Sequence, residues 1–178
     1  AIRRGIGSLF HVSWWTHSMD PSFELAKQGA IHAIVGTLEI GLLTSIISVP
    51  IALLTAIFLV EYARGTKIAK AISFAVDVLT GVPSIVAALF VFAVVVTTFG
   101  GAQSAWASSL ALMILMIPTV LRSTEEMLKL VPDSLREASF ALGVSKWKTI
   151  MRVVLPTSMT GILTGIVLGL ARVMGETA

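Results

Sequence analysis

Apolar residues fall into four long runs, set apart by short charged or glycine-rich stretches. The first covers roughly residues 31–60. As a helix it would be about 45 Å long, more than the ~30 Å hydrocarbon core of a bilayer, so it must tilt, bend or protrude. Pro50 removes a backbone donor within it and predicts a kink. The second run, about 71–99, carries Asp77 and is broken by Gly81-Val82-Pro83-Ser84. The third covers about 105–121, with Pro118 near its end, and the fourth about 153–174, with Arg172 inside it and Glu176 just beyond. Residues 1–28 are weakly patterned: Trp14 and Trp15 suit a membrane interface, and Asp20-Pro21 marks a turn.

The charged stretch before the fourth run has a different rhythm. Pro132 stops what precedes it, and Ser134-Leu135-Arg136-Glu137 is a capping-box pattern that starts a short helix. Gly143 is a natural end for that helix. Val144, Trp147, Met151 and Val154 then recur at i, i+3, i+7 and i+10, a single apolar stripe. The pattern predicts two short amphipathic helices joined by a glycine bend at the membrane surface. Periodicity leaves two readings open. Such helices float in the headgroup region, or they offer an apolar face to a groove on a partner.

Composition agrees with a membrane chain. Of 178 residues 56% are hydrophobic and 13% charged, against about 25% charged in soluble domains. The expected fold class is all-α integral membrane, with about four spans. There are no cysteines, which excludes disulfides and thiolate metal sites. The formal net charge of +3 would raise nucleic acid for a soluble protein; here it reports topology, and no nucleic-acid partner is expected. Arg64, Lys67 and Lys70 follow the first run, and Arg122, Lys129, Arg136, Lys146, Lys148 and Arg152 lie between the third and fourth. The opposite side has Arg3, Arg4 and Lys27, and the turn at 100–104 has no charge. The positive-inside rule places segment 122–152 in the cytoplasm and both chain ends outside, in a multi-pass protein of the cell membrane. The opening residues lack the apolar core of a signal peptide, and neither end has the look of a natural terminus, so a longer protein is expected.

Candidate chemistry is sparse. His11, His17 and His32 have no zinc-ligand spacing, and no nucleophile elbow or P-loop is present. No catalysis, metal or cofactor is expected of this chain. The charges within the spans matter more. A midspan Arg172 costs roughly 2.5–3.5 kcal/mol on insertion scales and normally faces protein or water. Either Glu176, one turn on, hides it in an intrahelical ion pair, or its planar fork meets a passing oxyanion, with Glu176 holding it between turnovers. Arg122, beside Glu125 and Glu126, is a positive-inside anchor or an exit contact for the anion. Asp77 either caps the broken helix or binds an arginine from a partner, and Glu39 has no assigned role.

Spacing adds a resemblance. Glu137-Ala138-Ser139, then Gly143, then nine residues and Val153-x-Leu155-Pro156 resembles the E-A-A…G…I-x-L-P loop motif of ABC importer permeases, with Ser139 for the second Ala and Val153 for Ile. GVPSIVAALF at 81–90, IPTVLRSTEE at 117–126 and LARVMGETA at 170–178 resemble the permeases of phosphate-specific ABC importers, nearest the PstA type. The likeness covers most of 29–178. It implies a type I ABC importer transmembrane domain over 29–178, incomplete because such permeases have about six spans, preceded by an extracytoplasmic or interfacial segment 1–28. It also implies a cytoplasmic coupling loop 132–156 that docks on an ATPase through Ser134, Glu137, Ala138, Ser139, Gly143 and Trp147. Arg172 and Glu176 would then handle the anion, with Arg122 at the exit. The implied partners are a second related permease, two copies of a cytoplasmic ATPase that holds ATP and Mg, an extracytoplasmic phosphate-binding protein, and lipid. The implied function is ATP-driven phosphate import; sulfate or molybdate as cargo, and a passive channel or scaffold, remain the alternatives.

Overall fold

The structure is a computed structural model that describes residues 30–98, 100 and 104–177. The expectations for residues 1–28 and for most of the turn after the second run lie outside the described residues. The first helix, α1 (Ile31–Ile57), runs on through a π-helical turn at Phe58–Tyr62. Then come α2 (Lys67–Thr80) and α3 (Ser84–Val91), the latter extended by π-helical Phe92–Thr98. Next are α4 (Ala105–Leu130), α5 (Asp133–Ala141) and α6 (Lys146–Thr149). A π-helical turn at Ile150–Val154 carries α6 without interruption into α7 (Leu155–Thr177). No strand occurs among the described residues.

Three stretches are long and apolar enough to cross a bilayer: Ile31–Tyr62, Ala105–Leu130 and Lys146–Thr177. The second apolar run is not a straight span, since α2 and α3 meet at 101°. Pro83 explains the break. It has no N–H to continue α2, and its ring disfavours helical geometry at Val82. Pro50 and Pro118, by contrast, both sit inside continuous helices.

α4 forms the centre, with Met116, Val120, Leu121 and Leu128 fully buried. Ala52 and Ala56 of α1, and Val154, Ile162 and Val173 of the last span, close around it. Ser109 Oγ donates to Ile40 O (3.4 Å) and Ser45 Oγ to Met116 Sδ (3.8 Å), so α1 and α4 run in the same direction. α7 runs the other way: Gly161 lies against Met127, Gly165 against Ser123 and Gly169 against Val120. Small residues also line the buried face of α1, at Gly41, Thr44, Ser48, Ala52 and Ala56. In lipid, helix association depends on close packing, which small residues permit. Thr44 and Ser158 return their hydroxyls to carbonyls one turn back, at 2.8 Å each, and so bury no loose donor.

Two local expectations are corrected. α5 begins at Asp133 with Pro132 as N-cap and no side-chain capping bond, so the Ser134–Glu137 box does not form. Asp133 Oδ1 is instead held by Arg136 at 3.1 Å. Nor is there a second free surface helix, because α6 is the beginning of the last span. Trp147 and Met151 are exposed, while Thr149, Ile150, Val154 and Ser158 face inward. Of the predicted stripe only Val154 lies on the buried face, because the helix begins the last span and packs through Thr149 and Ile150 rather than through Trp147 and Met151.

Candidate functional site

One candidate element is the hairpin of α5 and α6 at the basic end of the bundle. Gly143 adopts φ +74°, a left-handed conformation that L side chains rarely hold. Its N–H donates to Phe140 O (2.9 Å) and that of Val144 to Ser139 O (3.2 Å), which closes the end of α5. The chain turns back far enough for the Ser139 and Thr149 hydroxyls to meet at 2.8 Å, both buried. Ser139 therefore faces into the hairpin, whereas Ser134, Glu137, Ala138 and Trp147 are exposed. Leu135, Phe140 and Leu142, which the motif does not mark, are exposed too, Leu142 at 82%. The signal that could have found them is three large apolar side chains within two turns of an otherwise charged helix.

Arg136, read from sequence as one of the topogenic cations, is buried. Its Nε and Nη2 donate to Glu61 Oε1 at 3.1 and 2.9 Å. Nη2 also reaches Leu128 O (3.0 Å), and Nη1 reaches Val131 O (2.6 Å) and Asp133 Oδ1 (3.1 Å). Around this centre, Lys146 Nζ lies 4.9 Å from the Tyr62 ring centroid. Arg64 and Asp133 form an exposed pair at 3.4 Å, of the kind worth about 0–1 kcal/mol.

Arg122 joins α2 to α4. It donates to Glu125 (2.7 Å), to Ser73 O (2.9 Å) and to the Asp77 carboxylate. Glu125 also accepts from Lys129 Nζ at 2.7 Å. Asp77 thus has its arginine within the same chain, and the guanidinium read as an exit contact is engaged by two carboxylates. Glu126 and Glu39 are exposed, with no ion pair among the described residues.

Arg172 is arranged differently. It is exposed on α7, and among the described residues it forms no ion pair, either with Glu176 or with another acid. The intrahelical pair is not formed. Its Nη1 lies 3.5 Å from Thr119 Oγ1, whose own hydroxyl donates to Leu115 O at 2.9 Å. Glu176 lines a recess of about 200 Å³ with Ser84, Ala88, Ala111 and Leu115, between α3 and α4. Thr119 precedes Arg122 by one helical turn, so one stretch of α4 carries both the Arg172 contact and the Arg122 cluster. Sequence reasoning does not reach Thr119, because a lone threonine in an apolar span carries no signal. Among the described residues no three His, Asp or Glu side chains gather closely enough to hold a metal ion.

This arrangement is that of a known class of membrane protein. A solved structure of the MetNI methionine ABC transporter in inward-facing conformations matches with TM-score 0.68 at 21% identity, over 89% of this chain and 74% of that one. An amino acid ABC transporter with histidines matches at TM-score 0.60 and 22% identity, over 82% and 68%. The fold is that of a type I ABC importer permease, a multi-pass membrane domain. Residues 48–178 match the family described as binding-protein-dependent transport system inner membrane component, and the chain belongs to that family. It is 53% identical over 178 residues to phosphate transport system permease protein PstA 1 of Mycobacterium tuberculosis (strain CDC 1551 / Oshkosh), covering 99% of this chain and 58% of the relative. It is 50% identical to phosphate transport system permease protein PstA of Mycobacterium leprae (strain TN), with the same coverage. To that of Yersinia pestis it is 45% identical over 160 residues, 90% of this chain and 54% of the relative. The chain thus spans little more than half the length of these relatives.

Proposed function

We propose that this chain is a membrane permease subunit of an ATP-driven importer and carries inorganic phosphate across the cytoplasmic membrane. The observation that carries the proposal is 53% identity, across 99% of the chain, to a protein named as a phosphate permease. The basic end of the bundle is cytoplasmic, as nine of the thirteen Lys and Arg residues argue. There the α5–α6 hairpin, with Glu137, Ala138, Leu142 and Trp147 outward, seats in a groove on a separate ATPase chain that binds ATP and Mg. A second permease subunit and an extracytoplasmic binding protein complete the assembly, and two ATPase copies drive it.

The geometry supports a route from ATP to anion. Because α6 is continuous with α7, a displacement of the hairpin travels along one helix to Arg172. Arg172, exposed and held only by its 3.5 Å contact to Thr119, offers its fork to an oxyanion, and Glu176 follows one turn later as the competitor that permits release. Arg122, pinned by Asp77 and Glu125, is a cytoplasmic contact for the anion only if that cluster opens during the cycle.

The complete importer in proteoliposomes loaded with ATP is expected to take up labelled phosphate, with excess sulfate or molybdate competing weakly. Equal competition by those anions would change the cargo, and uptake without ATP would replace the importer by a channel. A Glu137→Ala, Gly143→Val double variant tests docking. Valine at φ +74° costs about 1–2 kcal/mol and distorts the hairpin. Co-purification with the ATPase should fall; intact association together with intact ATP-driven uptake would remove the hairpin from the mechanism.

A further inference from the structure

We propose that Arg136 is a positioning residue that locks the hairpin to the first span and to α4, so that the three move as one body. The inference rests on the reading that this hairpin receives force from an ATPase.

A guanidinium has five N–H donors. All five of Arg136 are matched, by Glu61 twice, Leu128 O, Val131 O and Asp133. These acceptors belong to different bodies. Glu61 is at the end of α1, Leu128 and Val131 at the end of α4, and Asp133 at the start of α5. The two carbonyls come from the last turn of α4, where intrahelical donors have run out. Arg136 is 9% exposed and the Glu61 side chain 7% exposed. A charge so placed is tolerated only when its partners are complete and correctly aimed, and this completeness makes the joint directional. Apolar packing could hold the same surfaces together but would let them slide.

The two ends of the hairpin are tied down differently. Its α6 end is continuous with α7 through the backbone. α1 has no such connection: between Tyr62 and Asp133 lie α2, α3 and all of α4. Apart from Arg136, the polar ties from the hairpin to the end of α1 among the described residues are the exposed Arg64–Asp133 pair and Lys146 over the Tyr62 ring. A push on the hairpin therefore reaches α7 along the chain and α4 through Val131 and Pro132, and Arg136 is the buried polar tie that carries it directly to the end of α1. Loosening Arg136 should leave ATP turnover running while less of each stroke moves the spans.

The test uses the complete importer, with full-length subunits, and follows ATP hydrolysis and inorganic phosphate uptake on the same proteoliposomes. Arg136→Gln, which offers two donors and no charge, should assemble, hydrolyse ATP, and show uptake per ATP about tenfold lower, as expected for a coupling free energy between two sites. Glu61→Gln keeps the shape and an acceptor oxygen, so its ratio should fall less. Arg136→Lys keeps the charge with three donors and should lie between Arg136→Gln and the unaltered protein. Three results would overturn the proposal: an unaltered uptake-to-hydrolysis ratio in Arg136→Gln, a proportional fall of both activities, or failure of both Arg136→Gln and Glu61→Gln to assemble, which would make the cluster a folding element only. Failure of the underlying docking reading shows separately, as intact ATPase association and intact ATP-driven uptake in the Glu137→Ala, Gly143→Val variant.

Discussion

Gly165→Leu is expected to unseat α7 from α4 and to destabilise the bundle strongly. A Cβ at position 165 would stand 2.6 Å from Ser123 Cβ, closer than real side chains approach. Ser123 lies well inside α4 and is short, so its Cβ moves only if the backbone moves. Leucine adds three further carbons. Overpacking costs typically about 1–3 kcal/mol in soluble cores, and this contact belongs at the upper end of that range. The bilayer gives no hydrophobic compensation, because lipid tails accept the displaced surface as well as α4 does. For the purified full-length protein, a loss of about 3 kcal/mol corresponds to a fall of several degrees in Tm. Gly161→Ala should be milder, since the obstruction there is the flexible side chain of Met127. A Gly165→Leu protein that unfolds at the unaltered temperature would mean that α7 and α4 do not meet at this point.

Arg172→Gln should act in the opposite way, sparing the fold and removing transport. The side chain is exposed and contacts Thr119 only at 3.5 Å, so little packing is lost. What disappears is a charged fork for an anion. Hydrogen bonds to charged groups contribute about 1.5–3 kcal/mol each, so uptake should fall by one to two orders of magnitude or more. Arg172→Lys keeps the charge without the planar pair of donors and should retain only part of the activity. The measurement is phosphate uptake normalised to assembled complex. Ordinary uptake by Arg172→Gln in a fully assembled importer would remove this residue from the anion path and leave Thr119 and the Glu176 recess without a purpose.

The contrast between these residues shows which features a linear reading can reach. Arg172 stands out because a cation within an apolar run is costly wherever the helix lies. Gly143 stands out because a glycine at the end of an amphipathic stretch has a conformational reason. Arg136 does not stand out: its acid, Glu61, is 75 positions away, and six cations in one loop look alike until one of them is buried. The motif places Ser139 on the docking surface, and it instead bonds Thr149 inside the hairpin. Glycines 161, 165 and 169 pass as ordinary apolar filling, since their meaning lies in Met127, Ser123 and Val120 opposite.

Hydropathy, helical spacing and the glycine at 143 were enough, without coordinates, for an all-α membrane chain and for where its exposed hairpin falls, while the ABC importer kind came from the resemblance of its motifs to a known family. Hydropathy and spacing are local properties, set by water and lipid acting on consecutive residues. The 101° bend between α2 and α3, the fusion of α6 with α7, the engagement of Arg122 by Asp77 and the burial of Arg136 came only from tertiary structure. These features depend on which distant groups share a space too small for water. One helix cannot specify that until another has packed against it.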